Sequence, residues 1–225
     1  MVGKPVRLFI AIEHPLVRRG LITFCRDHED MRVVGEAADG ETALRAVTET
    51  TPDIVIVHAQ LPLRSGPDVV RELRKSDSPP RTIMLVPLSN RDALQSAMAA
   101  PADAFLLTTD LPQHIVRTAR TLMNGDRFTC PLLAACRDAI LDDAVPDRVR
   151  AAFDTKELQL FSQLTRNRNA SQIARALRIP PADVARLRVR MCEKLHADAG
   201  RSNDIINPRD IFIHGDDEES SRMAS

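Results

Sequence analysis

The chain has 225 residues, 44% of them hydrophobic, and its 31 Lys+Arg balance 31 Asp+Glu, giving a formal net charge of zero. This composition excludes a disordered or membrane-embedded chain, and the length suits one large or two small domains. Cys25, Cys130, Cys136 and Cys192 show neither CxxC pairing nor interleaved histidines, and no signal-peptide order or bilayer-length apolar run is present. These features argue against a zinc or disulfide scaffold and for a cytoplasmic chain with reduced thiols.

From residue 5 to about 124, short apolar runs alternate with segments of helical period. That pattern predicts a parallel sheet covered by helices. Strands are expected at 6–11, 32–36, 54–57, 82–86 and 104–107. Helices are expected between and after them at 15–26, 40–48, 68–74, 92–99 and 111–123. In the first helix Leu16, Gly20, Leu21, Phe24 and Cys25 fall on one face at helical spacing. Short right-handed crossovers then give a doubly wound, five-stranded α/β fold with its function at the carboxyl ends of the strands.

After Gly125 the texture changes. Residues 131–143 have the pattern of one amphipathic helix, and 142–147, containing Pro146, read as a linker. Asp154-Thr-Lys-Glu157 and Asn169-Ala-Ser-Gln172 both fit the capping box, in which a short polar side chain caps the first turn and the residue three later bonds back. A third helix is expected from Pro180-Pro181 to Leu195, with Val184, Leu187, Met191 and Leu195 as its apolar stripe. Three short helices with a turn between the last two describe a helix-turn-helix. The tail, with Asp216-Asp-Glu-Glu219, is acidic and expected to be disordered.

Four N-terminal stretches, VRLFIAIEHPLVRRGL, VVGEAADGETAL, PDIVIVHAQLP and ADAFLLT, resemble in order and interval the receiver domain of NarL/FixJ-type response regulators, a flavodoxin-like fold. The later stretches FDTKELQLFSQL, ASQIARAL and VARLRVRMCEKL resemble the LuxR-type DNA-binding domain of the same family. In that family two acidic residues after the first strand hold Mg²⁺, and an aspartate ending the third strand accepts phosphate. A hydroxyl after strand four and a lysine after strand five complete the site. Phosphoryl transfer to a carboxylate needs that metal and those cations to offset crowded negative charge.

Here the acidic pair falls on Ile12 and Glu13, the acceptor on His58, the hydroxyl on Val86 or Pro87 and the lysine on Thr108. Only Glu13 keeps its chemistry. Phe105 occupies the family's aromatic switch position and is read as a packed strand residue. The resemblance therefore implies a receiver without phosphorylation chemistry, with no catalytic residue, cofactor or metal. Glu13, His14 and His58 are expected to gather at the carboxyl edge, where a ligand, a metal or a pH-sensing role is the alternative to a disused pocket. No nucleophile, base and orienting group stand at a recognisable sequence spacing.

Between residues 148 and 201 basic side chains outnumber acidic ones. Arg186, Arg190 and Lys194 recur every four residues on the third helix, with Arg188 beside that line and Arg166 and Arg168 in the preceding turn. By resemblance this is the recognition helix, with Arg186 and Arg190 meeting base edges, Lys194 a phosphate and Arg188 the backbone. Asn167 substitutes for the family's turn glycine, and Cys192 is read as core.

The implied organisation is a receiver-like domain at 1–125, a linker helix and linker at 126–150, a helix-turn-helix domain at 151–212 and an acidic tail at 213–225. The implied function is a phosphorylation-independent transcription factor, a homodimer on double-stranded DNA that also takes input from a regulatory protein. The alternatives are a pseudo-regulator that acts by protein contact without strong DNA binding, or a ligand or metal sensor.

Overall fold

The computed structural model describes residues 4–87, 91–108, 112–141, 144–166, 168 and 170–199. Strands β1 (Val6–Ala11), β2 (Met31–Ala37), β3 (Ile54–His58), β4 (Arg81–Val86), β5 (Ala104–Leu107) and β6 (Phe128–Thr129) form one sheet. Its order is β2-β1-β3-β4-β5-β6, and every pairing is parallel. Helices α1 (Pro15–Arg26), α2 (Gly40–Thr50), α3 (Gly66–Leu73), α4 (Arg91–Met98) and α5 (Pro112–Met123) make the crossovers. The central strands read as near-continuous apolar runs because both of their faces are covered. All five residues of β3 are buried, as are the last four of β1.

The sheet has one strand more than the five expected. Phe128 donates its N–H to the Asp103 carbonyl at 3.2 Å and Cys130 to that of Phe105 at 2.8 Å, which adds β6 outside β5. Two residues carry no readable period, so only the pairing reveals this strand. In α1 the buried residues are Leu21, Ile22 and Cys25, whereas Leu16 is 84% exposed. The expected apolar face is therefore corrected: its buried part begins at Leu21, and the first turn of α1 is exposed.

Helix α6 (Pro131–Leu141) differs from the expected amphipathic one. Five consecutive residues, Leu132, Leu133, Ala134, Ala135 and Cys136, are buried. Arg137 and Asp138 are half-buried and paired with each other, so the apolar run is the deeply covered part of the helix. Its neighbours are β5 on one side and α8 (Thr155–Thr165) and α10 (Pro181–Ala199) on the other. The remaining helices are α7 (Asp147–Ala152), which begins where a linker was expected to end, and α9 (Ala170–Leu177). Val184, Met191 and Leu195 of the expected stripe are buried and Leu187 is half-buried. The capping box at Asp154 and Glu157 forms with both reciprocal bonds. Asn167, Asn169 and the acidic tail lie outside the described residues.

Candidate functional site

Glu13 follows β1 and His58 ends β3, so both stand where the strand order reverses. In open parallel sheets this crevice is where ligands bind. His58 Nδ1 lies 2.9 Å from Glu13 Oε2, and His58 Nε2 lies 3.3 Å from Thr108 Oγ1, just beyond β5. The three strand ends are thus bridged by side chains. The His58 side chain is 7% exposed and that of Glu13 31%, so the imidazole is the enclosed member. The Nδ1 to Oε2 approach is an off-axis ion-pair contact, and neither atom has an aligned hydrogen-bond partner. Gly66, at the start of α3, is required beside them: a Cβ there would stand 2.3 Å from the His58 carbonyl oxygen.

Other residues singled out in the sequence fill the surroundings. Ile12, Val86 and Phe105 are buried, and Pro87 is half-buried. Thr108 donates its backbone N–H to the Val86 carbonyl at 3.0 Å, which fixes the start of the segment after β5. His14 does not join the group; it is exposed at the N-cap of α1 and makes no side-chain cap bond. Among the described residues no three His, Cys, Asp or Glu side chains converge in a geometry that holds a metal ion. The residues present therefore do not fit the Mg²⁺ of the family that the sequence resembles.

The helical unit holds its basic residues in three different states. Arg166, Arg168, Arg175 and Arg178 are exposed, as is Arg186, whose guanidinium is 3.2 Å from Asp183. Arg190 and Lys194, by contrast, are tied down. Arg190 donates to Glu157 and to Asp154, each at 2.7 Å, and Lys194 donates to Glu157 at 2.6 Å. Glu157 is fully buried. Burial works to raise its carboxyl pKa, but hydrogen bonds from Lys194, the Asp154 amide and Arg190 outweigh this and hold it below the ordinary range. The N-terminal turn of α8 is thus bolted to α10 by two cations.

Arg188 is the third case and corrects the expected outward contact. Its Nε and one Nη are buried without a hydrogen-bond partner, and burial pushes its guanidinium pKa down against opposing contributions from Cys136 and Cys192. It points into the seam between α10 and α6. Cys136 itself is fully buried, and burial drives its thiol well above the usual range, which keeps it unreactive. Helical spacing already separates these arginines: at about 100° per residue Arg188 lies roughly opposite Arg186 and Arg190, on the side that meets α6.

Residues 8–118 match the family described as the response regulator receiver domain. The N-terminal part of the chain has the fold of a receiver domain. Curated relatives extend beyond it: the chain is 26% identical over 194 residues to the response regulator UvrY of Escherichia coli K12, covering 85% of this chain and 88% of that protein. It is 25% identical over 193 residues to the probable transcriptional regulatory protein NarL of Mycobacterium tuberculosis, covering 85% and 88% of the two chains. The crystal structure of the response regulator ChrA of a heme-sensing two-component system covers 91% of this chain and all of its own, with a TM-score of 0.55 at 22% identity, a likeness of fold. Among the described residues no helix is long and apolar enough to cross a membrane.

Proposed function

We propose that the chain is a phosphorylation-independent, response-regulator-like transcription factor that binds double-stranded DNA through its C-terminal helix-turn-helix. In this reading residues 1–125 are a receiver that has lost phosphorylation chemistry, used for homodimerisation and for contact with a regulatory protein. Residues 151–212 are the DNA-binding domain, 126–150 connect the two, and 213–225 form an acidic tail. The observation that carries the receiver's part is the bridge across its pocket: His58 stands at the acceptor position between Glu13 and Thr108. Ile12 removes the second metal carboxylate and Val86 and Pro87 the hydroxyl, so neither the cation nor the acyl phosphate has a place.

The DNA reading rests on the exposed arginines. Of the chain's 31 Lys+Arg, 11 fall in residues 147–199, against 6 Asp+Glu. Such a basic helical unit supplies the sequence-independent part of DNA affinity by releasing counterions from phosphates. Exposed Arg186 is assigned to a base edge, with Arg166 and Arg168 on phosphates. Arg190 and Lys194 present cations already engaged with Glu157, so their first role is to hold α10 in register on α8, and Arg188 supports the α6 seam.

Fluorescence anisotropy of the full chain on duplex DNA tests this. Binding is expected to weaken steeply with salt, and Arg186→Ala to reduce the log–log salt slope by about 1. A chain that retains no duplex at low salt overturns DNA binding and leaves the protein-contact reading. For the receiver, His58→Asp alone is expected to gain no Mg²⁺-dependent label from acetyl phosphate. Labelling of that variant overturns the loss of phosphorylation chemistry.

A further inference from the structure

The bridge across the receiver pocket has an order as well as a shape. A hydroxyl (Thr108 Oγ1), an imidazole (His58 Nε2, then Nδ1) and a carboxylate (Glu13 Oε2) follow one another at 3.3 and 2.9 Å. This is the sequence of nucleophile, base and orienting acid found wherever a hydroxyl is activated by histidine. The sequence alone hides it, since the three residues are separated by 45 and 50 positions and meet only at the strand ends.

Burial is distributed to suit the same roles. The imidazole is enclosed with the Glu13 carboxylate against its Nδ1, while Thr108 is half-buried. With its proton on Nδ1, facing Glu13, His58 turns the lone pair of Nε2 toward Thr108.

We propose that Thr108 is a self-acylation site for activated acyl carbonyls, with His58 as its general base and Glu13 as the positioning residue for His58. The Thr108 oxygen bonds to the acyl carbon while Nε2 takes the hydroxyl proton. The bond from the acyl carbon to its leaving group breaks, and the leaving group departs with the electron pair. An ester remains on Thr108, and the proton passes from His58 to water. The event is a stoichiometric modification at the receiver's carboxyl edge and holds whether or not the chain binds DNA.

The test uses the full chain with p-nitrophenyl acetate, following p-nitrophenolate release and locating the acetyl group by tandem mass spectrometry. One acetyl ester on Thr108 is expected, absent from Thr108→Val. It is expected to form about a hundred-fold more slowly in His58→Gln, the scale of general-base assistance. Glu13→Gln gives an intermediate rate, with circular dichroism confirming that each variant is folded. No ester at Thr108, or an ester formed equally fast in folded His58→Gln, overturns the proposal. A parallel reaction with acetyl phosphate separates the chemistries: an acetyl group on Thr108 supports acylation, and phosphate on His58 overturns it.

Discussion

The two edges of the sheet each enclose an ionisable side chain, under opposite conditions. At the amino edge of β4 and β5, Asp103 is fully buried and oversupplied with partners: the Thr82 amide at 2.8 Å, the Thr82 hydroxyl, Arg74 in close contact, and Arg81 and Arg127 at 3.5 and 3.8 Å. At the carboxyl edge, His58 is nearly as deep, yet its two neighbours leave one ring nitrogen without an aligned bond. Buried charge built for structure is surrounded until every lone pair is used, because an uncompensated one is costly. The less completely satisfied His58 stands at the edge where α/β proteins bind ligands, and the acylation proposal turns on that contrast.

Four substitutions break or sharpen this contrast. Asp103→Ala leaves three arginines and an amide facing an empty space and is expected to cost about 3–5 kcal/mol, read by urea denaturation. A loss near zero would mean that the oversupply is ornamental. Glu157→Gln, which takes a buried charge from Arg190 and Lys194, is expected to cost about 1.5–3 kcal/mol at neutral pH. Because the folded Glu157 carboxyl titrates below its unfolded value, its contribution is fully present above about pH 4.3. It is then lost as pH falls through the lower folded value, so wild type and variant should converge in acid. Divergence on acidification would contradict the assigned ion pairs.

His58→Leu is expected to cost only about 0.5–1.5 kcal/mol, since one long hydrogen bond and one off-axis contact are removed while the volume is kept. A cost matching that of Asp103→Ala would make His58 a structural anchor. Leu16→Ser, at an exposed position, should shift stability by no more than about 0.5 kcal/mol in the same assay.

Much of the fold was legible because periodicity reports burial. The five long strands and their crossover helices alternate between runs and helical stripes, and the structure places them within a few residues of expectation. What escaped was too short or too enclosed to carry a period. Phe128–Thr129 and the six-residue α7 are too brief, and α6 buries five consecutive residues, which blurs an amphipathic signature. The same holds at the site. Glu13, His58 and Thr108 were each singled out by position, but their mutual contact depends on the spacing of three strand ends, which no local pattern encodes. Glu157 announced itself as a capping residue. Its grip on Arg190 and Lys194 is a property of helix packing.

The burial of α6 also sets how the two halves of the chain can move. Leu132, Leu133 and their neighbours are covered from one side by the sheet and from the other by α8 and α10, so neither half can swing away without wetting this helix. If the receiver-like half takes a signal as proposed, a tilt or slide of α6 is the expected way for it to reach the helical half. The same coupling makes the two halves melt as a single transition, and a protease should find no early cut between residues 131 and 139.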